Sequence, residues 1–249
     1  MAQLVFDAVS FSYPGEARSA LDNCSVAIPA GKRVAVIGRN GSGKSTFFLH
    51  CNGILRPLSG KLLLDGEVME YGRSDIKKIR QKVGIVFQNA DDQLFSASIE
   101  QDISFGPLNL GLPQAEVRER VREVAAQCEL THLLDKPIHA LSGGEKARVA
   151  LAGVLAMRPE IILVDEPTAS LDPLMRQQVF RIFNQLHAAG KTIIVATHEY
   201  EVARYWADFV IVMEKGRVLL ADESEVVFSD ADVLKNIGLN APWYEGVVV

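Results

Sequence analysis

Four short apolar runs punctuate the chain: Arg33-Val34-Ala35-Val36-Ile37, Val83-Gly84-Ile85-Val86-Phe87, Ile161-Ile162-Leu163-Val164 and Thr192-Ile193-Ile194-Val195-Ala196. They are rich in β-branched residues and do not alternate with polar ones, the pattern of strands covered on both faces in a parallel sheet. Between them the apolar period lengthens to three or four, as in Val117, Val121, Val124 and Cys128, and again in Val179, Ile182, Phe183 and Leu186. That period predicts helices with one buried face. The chain therefore reads as α/β, a mainly parallel sheet with flanking helices.

Two stretches depart from this alternation. The opening sixty-odd residues place Leu4, Phe6, Phe11, Leu62 and Leu64 among polar neighbours and turn at Asp65-Gly66, which predicts an antiparallel sheet beside the main one. Residues from about 91 to 157 read as mostly helical, an inserted α-helical subdomain. A further hairpin is expected at Phe209 to Met213 and Arg217 to Leu220, joined through Lys215-Gly216. The expected division is a main domain over residues 1–222 and a helical tail over 223–249, a candidate dimer contact.

Composition narrows the function classes. With 48% hydrophobic residues and 23% charged, the chain is neither disordered nor fibrous. Its 26 Lys and Arg against 31 Asp and Glu give a net charge of −5, the wrong sign for affinity built on nucleic-acid phosphates. The longest apolar run, Val149 to Met157, is nine residues, whereas a membrane span needs about 20. The N-terminus lacks a signal-peptide pattern, so a membrane role is expected to be peripheral, from the cytosolic side. Cys24, Cys51 and Cys128 are scattered and odd in number, which suits buried apolar residues better than a disulfide or zinc site.

The chemistry is concentrated in a few motifs. Gly38-Arg39-Asn40-Gly41-Ser42-Gly43-Lys44-Ser45 fits GxxxxGK[ST] and lies between an expected strand and a helix. Its glycines let backbone N–H groups curl around a polyphosphate, the helix N-terminus adds positive potential, Lys44 reaches the β- and γ-phosphates, and Ser45 can ligate Mg²⁺. The run Ile161 to Val164 ends in Asp165-Glu166. One carboxylate there can hold Mg²⁺ through water and the next can face an attacking water.

Ser142-Gly143-Gly144-Glu145 opens another helix. Ser142 and Glu145 form a capping box, but paired glycines in a first turn cost helix stability and instead leave N–H groups open to a large anion. A second phosphate-binding surface so far from the first suggests a site completed by another subunit. Gln88 and His198 each follow a strand and should lie at the same end of the sheet as Lys44 and Asp165. Tyr13 fits either the core or a stack on a base.

Together these motifs resemble the ATPase subunit of an ABC transporter over nearly the whole chain. The resemblance implies roles position by position. Tyr13 stacks on adenine, Gly38 to Ser45 with Thr46 form the phosphate loop, and Gln88 links the Mg²⁺ site to a transmembrane partner. Ser142, Gly143 and Gly144 contact the γ-phosphate of ATP held by the opposite subunit, with Asp172 of the loop Ala169-Ser170-Leu171-Asp172 beside them. Asp165 serves the metal, Glu166 is the catalytic base, and His198 is the switch histidine. ATP and Mg²⁺ are the implied substrate and cofactor.

Gln88 to Phe95 and Phe105 to Gly111 narrow the resemblance to the energy-coupling-factor branch, whose ATPases drive uptake of cobalt, nickel or water-soluble vitamins. The tail, with Glu225-Val226-Val227-Phe228 and Gly238-Leu239 before Pro242-Trp243, is similar to that of the cobalt and nickel members. The implied partners are a second ATPase copy, identical or related, a transmembrane coupling subunit and a substrate-capture membrane subunit, with no nucleic acid. Leu94 and Phe95 fit either an exposed groove for the coupling subunit or local core. Soluble ABC ATPases of DNA repair or translation are the competing class. Only 96 residues separate Ser45 from Ser142, against hundreds in the repair enzymes, and the chain carries one cassette where translation factors usually carry two.

Overall fold

In the computed structural model, residues 2–167 and 171–229 are described, and two sheets lie against each other. The first joins β1 (Ala2–Phe11), β2 (Leu21–Pro29), β4 (Ser59–Leu64) and β5 (Glu67–Val68) in the antiparallel order β2-β1-β4-β5. The second holds β3 (Arg33–Ile37), β6 (Val83–Val86), β7 (Ile161–Asp165), β8 (Thr192–Thr197), β9 (Phe209–Glu214) and β10 (Arg217–Glu223). Its order is β10-β9-β3-β8-β7-β6, parallel except for β10, which pairs antiparallel with β9. The expected hairpin thus forms the edge of the main sheet.

The non-alternating runs are explained by cover on both faces. β7 and β8 are buried at every position. Ile162, Val164, Ile193 and Val195 join one core, and Ile161, Leu163, Ile194 and Ala196 the other. The second core lies between the two sheets around helix α1 (Lys44–Cys51), where Phe6 stacks on Phe47 with ring centroids 4.1 Å apart.

Phe6 and Phe11 are an odd number of residues apart, yet both are buried in that core. The register slips between Phe6 and Val9, and Ala8 takes a positive φ of 53°. The bulge restores the apolar residues to one face. Gly60 crosses the bulge so closely that a Cβ there would lie 2.3 Å from the Ala8 carbonyl oxygen.

Helix α2 (Arg73–Lys82) leads into β6, and the helical stretch comprises α3 (Ile99–Asn109), α4 (Gln114–Gln127) and α5 (Gly143–Leu155). Val117, Val121 and Val124 face the core, as their spacing predicted, and Cys128 closes the same stripe at the end of α4. All three cysteines are buried and free, and burial pushes the Cys24 and Cys128 thiols up to about 12. α6 (Pro173–Ala188) and the short α7 (Ser224–Val227) complete the described α-helices, and a π-helical turn spans Val202–Trp206.

The Leu94–Phe95 pair divides. Leu94 is 9% exposed and belongs to the core, the second of its two expected places, whereas Phe95 is 65% exposed and meets Phe105 edge to face at 4.7 Å. β6 ends at Val86, one residue earlier than expected, because the Phe87 N–H is taken by the Gln93 side chain and the chain leaves the sheet there. Among the described residues no helix is long and apolar enough to cross a membrane. The tail expected over 223–249 lies largely outside the described residues, as do Ala169 and Ser170.

Candidate active site at the carboxyl end of the parallel strands

The phosphate loop is shaped by close backbone approach. A Cβ on Gly38 would lie 2.3 Å from the Met213 carbonyl oxygen, and one on Gly43 would lie 2.7 Å from that of Ala20. Gly43 also has φ 107°, a left-handed conformation that only glycine adopts without strain. It begins α1 with no side-chain cap, so the first N–H groups of the helix are free to meet an anion. The Ser42 hydroxyl is buried without a partner in the same loop.

Lys44 is nearly buried. Its Nζ donates to the Gly38 carbonyl at 2.8 Å and lies 3.8 Å from Glu166 Oε1. Glu166 follows β7 with φ 49°, a strained turn for a residue with a side chain, and its N–H donates to the Ala196 carbonyl at 2.9 Å. The turn aims its carboxylate into the cleft, where Oε2 lies 2.9 Å from His198 Nδ1. Glu166 thereby links Lys44, which follows β3, to His198, which follows β8. Asp165, beside them, is buried, and desolvation raises its pKa against the lowering effects of the Ser45 hydroxyl and Lys44.

Lys44, Asp165 and Glu166 line a cleft of about 490 Å³ together with Tyr13, Asn40, Gly41, Thr46 and Gln88, and the exposed His198 reaches it only through its contact with Glu166. The Tyr13 hydroxyl lies 3.2 Å from Thr46 Oγ1. Arg18 also lines the cleft. Sequence reasoning missed it, since it belongs to no motif and is brought there only by the β1–β2 connection folding over the phosphate loop. Among the described residues no group of three or more His, Cys, Asp or Glu could hold a metal. The available donors, the Ser45 hydroxyl, the Gln88 amide and Asp165, are hard oxygens that fit Mg²⁺ sharing a phosphate ligand set.

Ser142, Gly143, Gly144 and Asp172 do not line this cleft, though Gly143 lines an adjoining hollow of about 350 Å³ with Gln88 and Glu166. Ser142 caps α5, accepting from the Glu145 N–H, while the Glu145 carboxylate accepts from the Ser142 N–H at 2.7 Å. These bonds and Lys136 hold the Glu145 carboxyl below its usual range. Asp172 caps α6 through the Met175 N–H at 2.9 Å. A Cβ on Gly144 would lie 3.3 Å from the Met175 side chain, so the starts of α5 and α6 lie side by side. A Cβ on Gly143 would meet nothing within 4 Å; packing does not require glycine there.

The ABC transporter family profile matches residues 21–169. The cobalt import ATP-binding protein CbiO of Rhodobacter capsulatus is 47% identical over 239 residues, 96% of this chain and 85% of the relative. The energy-coupling factor transporter ATP-binding protein EcfA of Methanothermobacter thermautotrophicus is 45% identical over 234 residues, 94% of this chain and 75% of the relative. Among solved structures, cbiO1 of Clostridium perfringens, part of an ABC transporter complex, superposes with TM-score 0.83 at 40% identity, covering 99% of this chain and 98% of that one. A dimeric ATP-binding cassette, MJ0796, bound to ADP and Pi, superposes with TM-score 0.81 at 28% identity over 89% of this chain and 98% of its own.

Proposed function

The chain belongs to the ABC transporter ATPases, and on that premise we propose that it is the ATP-hydrolysing motor of an energy-coupling-factor type importer for cobalt or nickel ions. The observation that carries the motor reading is Glu166, set in the cleft beside the phosphate loop with Lys44 on one side of its carboxylate and His198 on the other. The cargo reading is supported by the cobalt import relative, 47% identical across 96% of this chain.

In the cycle we propose, the loop Gly38 to Ser45 and the start of α1 bind the phosphates of ATP, and Tyr13 stacks on adenine. Bound Mg²⁺, held by Ser45, Gln88 and, through water, Asp165, would offset charge on the β- and γ-phosphate oxygens. Lys44 exchanges the Gly38 carbonyl for those oxygens. Glu166 orients a water and accepts its proton as the water oxygen bonds to the γ-phosphorus and the bond to the bridging oxygen of ADP breaks. His198, hydrogen-bonded to Glu166, fixes the carboxylate and stabilises charge on the transferred group.

A second copy presents Ser142, Gly143 and Gly144 to the γ-phosphate, with Asp172 beside them. The openness around Gly143 supports that arrangement. The motor is held peripherally at the cytoplasmic face by a transmembrane coupling subunit, alongside a substrate-capture subunit. The exposed rings of Phe95 and Phe105, over a hollow of about 230 Å³, suit an apolar helix of the coupling subunit.

Co-expression with its membrane partners and reconstitution into vesicles should give ATP-dependent accumulation of Co²⁺ or Ni²⁺. ATP-dependent uptake of a vitamin with no metal transport would move the chain to another cargo class. The variant Phe95→Asp should lose co-purification of the membrane partners while the isolated subunit keeps its ATP affinity. Full retention of the partners would contradict the docking surface.

A further inference from the structure

His50 is the one fully buried histidine among the described residues, and no step above uses it. It lies on α1, one turn beyond Thr46. Its Nδ1 is 2.8 Å from the Thr46 carbonyl oxygen. A carbonyl only accepts, so Nδ1 carries the hydrogen, and burial lowers the imidazole pKa, keeping the ring neutral. Nε2 is then a bare acceptor, and it has no partner among the described residues. A leucine or phenylalanine would fill this volume without burying an unmatched acceptor, so packing alone does not call for histidine.

The ring is held where it meets Phe11 edge to face, with centroids 4.9 Å apart at 75°. Phe11 in turn meets Tyr13 edge to face at 5.1 Å and 88°. The Tyr13 hydroxyl returns to Thr46 Oγ1 at 3.2 Å. Four contacts thus close a loop through Thr46, His50, Phe11 and Tyr13, joining the phosphate-loop helix to the aromatic ring at the rim of the cleft. We propose that His50 is a positioning residue for the nucleotide base, holding the Tyr13 ring in place through Phe11. The proposal rests on the reading of Tyr13 as the adenine-stacking ring.

The loop has a consequence that helix support alone would not have. His50 acts on the base and not on the phosphates, so its loss is visible with ATP and invisible with a ligand that has no base. In the full-length chain, His50→Leu should weaken ATP binding about 3- to 10-fold, the contribution of an edge-to-face ring pair. Binding of inorganic tripolyphosphate, measured by competition, should be unchanged. His50→Phe keeps a ring against Phe11 and should restore most of the ATP affinity while relieving the unmatched acceptor. In a Tyr13→Leu background, His50→Leu should cost nothing further, since the two act as one unit.

Equal weakening of ATP and tripolyphosphate would reduce His50 to a support of the helix and overturn the proposal. Unchanged ATP affinity in His50→Leu, or a His50→Phe variant as impaired as His50→Leu, would do the same. Tyr13→Leu with undiminished ATP affinity would instead remove the stacking role of Tyr13, and the proposal would fall with it for that separate reason.

Discussion

Replacing Glu166 with glutamine is expected to lower ATP turnover by about 100-fold or more, the contribution of a positioned general base, while ATP binding persists. Glutamine keeps the length and planarity of the side chain. It can still take a hydrogen bond across the 2.9 Å to His198, and the turn at φ 49° accommodates it no worse than glutamate. What it cannot do is accept the proton of the attacking water. Removing the carboxylate also removes a charge 3.8 Å from Lys44, which frees that cation for the phosphates. ATP affinity should therefore hold or rise as turnover collapses. Phosphate release measured beside equilibrium ATP binding separates the two, and near-normal release would remove Glu166 from the role of base.

Gly143→Asp is expected to abolish hydrolysis with almost no loss of fold stability. The substituted Cβ meets no atom within 4 Å, and the backbone there is not in the left-handed region. A carboxylate in the first turn of α5 is favourable to that helix. The cost falls entirely on an approaching triphosphate, which meets a negative charge where it should find open N–H groups. The effect should also fall on the other subunit's nucleotide. In mixed dimers also carrying Glu166→Gln to trap ATP, Lys44→Ala and Gly143→Asp on different chains damage the same site and leave one ATP held per dimer. The same two changes on one chain damage both sites and leave none. An equal amount of trapped ATP in the two arrangements would show that α5 serves its own chain.

Much of this could be read from the chain alone, for identifiable reasons. The phosphate loop is legible because Gly43 carries a left-handed φ of 107° just before the helix, a local demand that glycine alone meets without strain, with Lys44 and Ser45 directly after it. Asp165 and Glu166 are legible because a doubly covered strand announces itself by an unbroken apolar run and carries its last residues to the ligand end of the sheet. Features set by meetings between distant segments are not legible. The bulge at Ala8 that brings Phe6 and Phe11 to one face depends on pairing with β2 and β4. Leu94 and Phe95 are adjacent and both apolar, and only the packing of the helical stretch sends one inward and the other out. Arg18 and His50 carry no motif; their significance lies in the β1–β2 connection and in Phe11, neither of which has a sequence spacing that points to them.

The claim on which the rest depends is that ATP is held between two copies, by the phosphate loop of one and the start of α5 of the other. A crystal structure of the full-length Glu166→Gln chain grown with ATP and Mg²⁺ tests it most directly. The expected result is a pair of chains with each triphosphate touching Lys44 on one side and the Ser142 hydroxyl and Gly143 N–H of the second chain on the other. A triphosphate bound at Lys44 whose γ-phosphate faces no second chain, or faces some other part of it, would contradict the account.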